Sequence, residues 1–301
     1  MTEPLAVLVE LLDLEPIEVN IFRGRSPEDR WPRVFGGQVI AQALVAATRT
    51  VEADRPAHSL HGYFIRPGDP KIPILYEVER IRDGASFTTR RVVAIQHGEA
   101  IFSMSASFQV VEEGFSHQDE IANVPSPDEL PSEAELVGAM GDKLPEEVAA
   151  LLKRKNAIEI RPVAPRDFWR REKMAPRGDV WLRMTGEVGE DPALNRALLA
   201  YASDLSLLDT SMRPHGVSFR TPNMQTASLD HALWFHRPFR MDDWLLYVQE
   251  SPSASGARGF TRGQVFTREG VLVASVAQEG LIRRRPPKPK ANAEAKAPKA
   301  G

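Results

Sequence analysis

Apolar residues recur at Leu5, Leu8, Val9, Leu11 and Leu12, the spacing of a helix with one buried face. Pro16 ends that helix, and Ile17, Val19 and Ile21 then alternate as a strand would. Beyond a turn-like stretch from Arg23 to Pro32, Phe35-Gly36-Gly37 opens a second helix whose Ile40, Ala43, Leu44 and Ala47 share a face of mostly small residues. From His58 to Val111 the period drops to two. Strands are expected at about 58–65, 72–82, 86–96 and 99–111, separated by Pro67-Gly68-Asp69, Asp83-Gly84 and His97-Gly98. In the last run Phe102, Met104, Ala106, Phe108 and Val110 face one way, and Ile101, Ser103, Ser105, Ser107 and Gln109 the other, so the strand has unlike surroundings on its two sides.

The stretch 112–177 is acidic, then mixed and rich in proline, with a short helical segment expected from Pro145 to Lys155; it reads as a connector. The first pattern then returns, with a helix from about Pro192 to Met212 and strands at about 225–237, 243–251, 258–268 and 271–283. Phe64-Ile65-Arg66-Pro67 matches Phe235-His236-Arg237-Pro238, and His97-Gly98 with Ser103 matches Glu269-Gly270 with Ser275, at offsets of 171 or 172 residues. A near-constant offset across separate motifs marks an internal duplication. Each half is one apolar helix plus a meandering antiparallel sheet, and such a helix must be buried against a sheet face. The expected fold is therefore α+β, a double hot dog: one unit over residues 1–111, the connector 112–177, a second unit over 178–285, and a Pro, Lys and Ala tail from Pro286 to Gly301 expected to be disordered.

Composition narrows the function. Of the 301 residues 42% are hydrophobic and 26% charged, with 41 acidic against 38 basic side chains, so no global basic field favours nucleic acid. Cysteine is absent, which removes disulfides, thiolate metal sites and a cysteine nucleophile, and fits a reducing cytoplasm. The start of the chain lacks the basic residues and cleavage site of a signal peptide. No apolar run approaches the roughly 20 residues of a membrane-crossing helix, so no membrane span is expected.

The strings Val34-Phe35-Gly36-Gly37-Gln38, His58-Ser59-Leu60-His61-Gly62-Tyr63-Phe64, Arg66-Pro67-Gly68-Asp69, Leu229-Asp230-His231, Trp234-Phe235-His236-Arg237-Pro238 and Ser253-Ala254-Ser255-Gly256-Ala257-Arg258-Gly259 resemble the thioesterase II family of acyl-CoA hydrolases, in order and in both halves. The resemblance implies hydrolysis of fatty acyl-CoA thioesters by an activated water, with no cofactor because CoA is part of the substrate. It also implies a catalytic set at Asp204, Ser228 and Gln278, Ser228 standing where the family usually has threonine. Hot-dog proteins commonly act as paired units, so a homo-oligomer is expected. The CoA-binding residues and the donors for the reaction's oxyanion are not assigned.

The residues themselves accord with that set. Asp204 has Ala200, Tyr201, Leu207 and Leu208 at helical spacing around it, and Gln278 shares a strand face with Leu272, Ala274 and Val276. Both are polar groups on apolar faces and need partners. Read without the resemblance, Asp204 is equally a helix-packing carboxylate. The counterpart of Gln278 in the first half is Ala106, an asymmetry that points to one active site per chain. His58 and His61, three apart, would lie on opposite faces of a regular strand and make a poor metal pair, and the spacing of His231 and His236 does no better. No Gly-x-Ser-x-Gly elbow is present. A hot-dog enoyl-CoA hydratase and a non-catalytic acyl-CoA-binding protein remain as alternatives. Arg258 could reach a CoA phosphate, although an exposed arginine near a turn is usually just solvated.

Overall fold

The computed structural model describes residues 1–27, 32–140, 156–167 and 172–286. Helix α1 (Glu3–Leu12) buries Leu5, Leu8 and Leu12 and leads into a hairpin of β1 (Glu15–Glu18) and β2 (Ile21–Gly24), which turns through Asn20 at positive φ. Helix α2 (Gly36–Thr48) follows, then β3 (Ala57–Phe64), β4 (Ile74–Asp83), β5 (Phe87–Gln96) and β6 (Glu99–Gln109). All four long strands appear where the alternation places them, and on β6 Phe102, Met104, Ala106 and Phe108 are buried. Helix α2 is enclosed from Gly37 to Leu44 by its own half of the sheet and by the helix of the other half, which explains its small residues. Ile40 and Leu44, fully buried, each contribute about 1.5–3 kcal/mol by leaving water.

The second half contains α3 (Glu133–Met140), β7 (Ile158–Pro162), β8 (Val180–Met184), α4 (Pro192–Ser203), a short α5 (Asp209–Met212), β9 (Met224–Ser228), β10 (Asp230–Phe235), β11 (Leu245–Ser255), β12 (Arg258–Thr267) and β13 (Leu272–Arg284). Together the described strands form a 13-stranded antiparallel sheet in the order β1-β2-β4-β5-β6-β3-β10-β13-β12-β11-β8-β7, with β9 also on β13. The halves join where β3 pairs with β10, Leu60 opposite Leu233 and His61 opposite Ala232. These two strands are counterparts in the duplication, and His61 and Ala232 are 171 residues apart, so the local two-fold axis passes through that pair. The α+β double hot dog is the architecture found.

Several boundaries differ from expectation. The helix expected to run to Met212 stops at Ser203, and Asp204 is its C-cap rather than a member of its apolar stripe. Serine and aspartate compete for backbone groups and are weak helix formers. The chain beyond is also held elsewhere, by Gln249 on Ser206 (2.7 Å) and Arg166 on Asp209 (2.8 Å). The single strand expected over 225–237 is two, broken at Leu229, whose carbonyl accepts from Phe64 N–H in the first half. Inside the stretch read as a connector, Ile158–Pro162 is the edge strand of the sheet. Its expected helix, Pro145 to Lys155, lies outside the described residues, as does the tail from 287 onward. His58 and His61 do not take opposite faces. The register shifts between Ala57 and Ser59, and His58 Nε2 reaches Ser107 Oγ at 2.8 Å on the outer face that also carries His61.

Candidate active site

The two central helices cross where the N-terminus of α2 meets the C-terminus of α4, and the meeting is close. A β-carbon on Gly36 would lie 2.5 Å from Asp204 Oδ2, and one on Gly37 would run into the Tyr201 carbonyl oxygen. Only glycine lets the backbones approach this far. Asp204 thus sits at the unfavourable negative end of α4 but against the favourable positive end of α2, where the Gly37 backbone favours its ionised form.

Ser228, at the end of β9, donates from Oγ to Asp204 Oδ1 at 3.0 Å. Gln278 on β13 donates from Nε2 to Ser228 Oγ at 2.8 Å. The structure therefore brings together all three residues singled out in the sequence, from three elements. Gln278 is buried, whereas Asp204, though deep among protein atoms, keeps part of its surface accessible, as a group serving one water requires.

Proton directions follow by elimination. An ionised Asp204 only accepts, so the single Ser228 proton points at it, and Ser228 Oγ must accept from the amide of Gln278. Gln278 Oε1 then faces His231, whose Nδ1 lies 2.8 Å away and must carry the proton. His231 Nε2 is left as the acceptor, 2.9 Å from Oγ of Ser203, the residue before Asp204; that one hydroxyl proton is shared between this nitrogen and the Ala200 carbonyl at 3.0 Å. One directed chain of donors thus runs from His231 through Gln278 and Ser228 to Asp204.

Electrostatics agree with those assignments. Burial raises the Asp204 pKa above the ordinary carboxylate value, against the opposing pull of His231 charge, Ser228, Gln278 and Gly37. Burial likewise lowers the His231 pKa, so the ring is neutral near pH 7, as a one-proton chain requires. A carboxylate moved toward neutrality is a better proton acceptor for water.

Sequence reasoning weighed His231 only as a metal ligand and missed this contact. The signal was present in the register: Ala232 pairs with Ala277, so the next step along the ladder sets His231 against Gln278. Arg258 lies on the opposite, outer face, where its Nε donates to Glu279 at 2.8 Å. Among the described residues no group of three His, Asp or Glu could hold a metal ion, and no helix is long and apolar enough to cross a membrane.

In the first half the equivalent arrangement is lost. The counterparts of Ser228 and Gln278 are Ala57 and Ala106, and Arg90, directly opposite Ala106, is buried there with bonds to Thr50 Oγ1 (2.8 Å) and the Thr50 carbonyl (2.9 Å). With alanine at both counterpart positions and the guanidinium spent on Thr50 and on Asp83 Oδ1 (2.6 Å), the first half forms no carboxylate–hydroxyl–amide line like that of the second.

Comparison with known proteins gives a consistent answer. The family model for acyl-CoA thioesterases matches residues 151–281, and that for the acyl-CoA thioesterase N-terminal domain matches residues 27–109. Human acyl-coenzyme A thioesterase 8 is 41% identical over 288 residues, covering 93% of this chain and 90% of its own. Acyl-CoA thioesterase 2 of Haemophilus influenzae is 40% identical over 283 residues, covering 94% and 99%. The crystal structure of acyl-CoA thioesterase II TesB2 from Mycobacterium marinum superposes with a TM-score of 0.75 at 45% identity, over 92% of this chain and 98% of that one. A hot-dog protein from Alicyclobacillus acidocaldarius has the same TM-score at 18% identity, a likeness of fold alone. Because both halves match models of one family and the relatives align nearly end to end, the chain belongs to the acyl-CoA thioesterase family.

Proposed function

We propose that this protein hydrolyses fatty acyl-CoA thioesters to free fatty acid and CoA by direct attack of a water held at Asp204, Ser228 and Gln278. The supporting observation is the hydrogen-bonded line from Gln278 through Ser228 to a partly accessible Asp204. Asp204 takes a proton from the water as its oxygen bonds to the thioester carbonyl carbon. Ser228 and the second amide hydrogen of Gln278 orient that water, which turns an encounter in solution into a positioned attack. The carbonyl oxygen gains negative charge, and the first-turn N–H groups of α2, which have no intrahelical partners, are donors of the right kind beside Asp204. Collapse of the tetrahedral intermediate breaks the carbon–sulfur bond, and the proton on Asp204 is available to the departing thiolate.

The loss of the equivalent groups around Arg90 supports one site per chain. The lack of cysteine supports a reducing, cytoplasmic setting. The activity is tested by incubating the protein with palmitoyl-CoA and a thiol reagent. Steady release of free CoA, slowed about a hundredfold or more in Asp204→Asn, is the expected result; binding without CoA release would refute the reading.

A further inference from the structure

Next to the proposed water site the inward face of the sheet passes from buried to exposed along β13. Along β13, Ala274, Val276 and Gln278 point inward and are at most 2% exposed; further along the same face, Ile282 is half-buried and Arg284 exposed. Strand β9 runs alongside in antiparallel register, Ser228 opposite Gly280, Thr226 opposite Ile282 and Met224 opposite Arg284, and all five of its residues are half-buried. Paired residues share a face, so Ser228, Thr226, Met224, Ile282 and Arg284 form one track leading outward from the site.

The track ends in unspent positive charge. Among the described residues Arg284 has no side-chain partner. Arg33, in the segment leading into α2, crosses the free edge of β9 and spends one nitrogen, Nη2, on the Thr226 carbonyl at 2.6 Å. A guanidinium has five donors, so Arg33 keeps most of its fork available. The neighbouring arginines are oriented differently. Arg258 is tied to Glu279, and Arg285 donates from Nε to Gln225 Oε1 at 2.8 Å, both partners belonging to the outer face.

We propose that Arg284 and Arg33 bind the phosphate groups of the coenzyme moiety, with the pantetheine arm lying along Thr226, Met224 and Ile282. This rests on the thioester-hydrolase reading above. The lengths correspond. From Ser228 to Met224 is four residues, about 13 Å along a strand. An arm of some thirteen bonds from thioester sulfur to diphosphate, comparable to about four extended residues, spans roughly 15 Å. Planar guanidinium forks suit phosphate oxygens, and the exposed end of the track suits a nucleotide that stays in water.

The test compares palmitoyl-CoA with palmitoyl-pantetheine, which lacks the nucleotide, in the wild type, Arg284→Gln, Arg33→Gln and the outer-face control Arg258→Gln. The expected result is that Arg284→Gln raises KM for palmitoyl-CoA about tenfold, the worth of a solvent-screened charged hydrogen bond, with kcat retained. Kinetics on palmitoyl-pantetheine should not change, and Arg258→Gln should match the wild type on both. Adenosine 3′,5′-bisphosphate should inhibit competitively and more weakly in Arg284→Gln. Arg33→Gln should shift KM the same way, its folding checked by Tm because it also holds β9. Equal effects on the two substrates, or an unchanged KM for palmitoyl-CoA in Arg284→Gln, would overturn the assignment. If the wild type cleaves neither thioester, it is the hydrolase reading that fails.

Discussion

Asp204 is costly where it sits, and that cost has a measurable sign. Its folded-state pKa is raised above the ordinary value, so in the pH range between the two the folded state holds a proton that the unfolded state has lost. Its stabilising contribution is complete below the ordinary carboxylate pKa and is lost as pH rises through the folded one. Asp204→Asn does not titrate, so its Tm relative to wild type should climb across that window; thermal melts from pH 4 to 7 check this. Over the same range the acid limb of kcat/KM should fall above the usual carboxylate pKa. Catalysis should drop in Asp204→Asn by about 10²- to 10⁴-fold in kcat, the share that general-base catalysis supplies. Ser228→Ala and Gln278→Ala should each lower kcat, and the double variant should lose less than the product, because both hold one water.

His231 gives the orientation of Gln278 a direct test. Asparagine presents an N–H near the position of Nδ1, so His231→Asn should keep most of kcat. His231→Leu should lose about fivefold, the equivalent of one hydrogen bond worth ~1 kcal/mol, with KM nearly unchanged. Equal losses in both variants would show that packing alone matters there. Gln278 was legible in the sequence as a polar group on an apolar strand face, whereas Asp204 stood out among apolar neighbours at helical spacing but caps its helix instead of joining the stripe. His231 was not legible, because its role depends on a cross-strand neighbour 47 residues away, visible only once the register is known.

At the scale of elements, alternation placed β3 to β6 and β11 to β13 within a few residues, since a half-buried strand writes its two faces into every second position. Helix ends were harder. The apolar spacing continues past Ser203 through Leu207 and Leu208, but those side chains belong to a new excursion, Leu208 packing where a β-carbon on Gly280 would stand. The strand break at Leu229 and the bulge at His58 likewise depend on partners distant in sequence. The crossing of α2 and α4 yields its own prediction. In Gly37→Ala the new methyl meets a backbone carbonyl that cannot move aside, so stability should fall by about 1–3 kcal/mol, read as a lower denaturation midpoint. An unchanged midpoint would mean that the helices can separate freely.

For the whole molecule, the duplication visible in the turn motifs is realised as one continuous sheet with a local two-fold axis at His61 and Ala232, and the two halves have diverged around it. One keeps Asp204, Ser228 and Gln278; the other closes the equivalent space with Arg90. We propose in addition that copies of the chain associate, since β7 and β1 leave edges at the two ends of the described sheet. Light scattering at micromolar concentration should report a mass above 33.5 kDa, and a monomer alone would refute association. The central claim is attack by water without an acyl-enzyme, and it is tested most directly by rapid quench of the protein with labelled palmitoyl-CoA, followed by intact-protein mass measurement. Labelled fatty acid should form from the first turnover with the protein mass unchanged, whereas an acyl adduct on Ser228 or Asp204 that forms and decays at the rate of turnover would contradict the account.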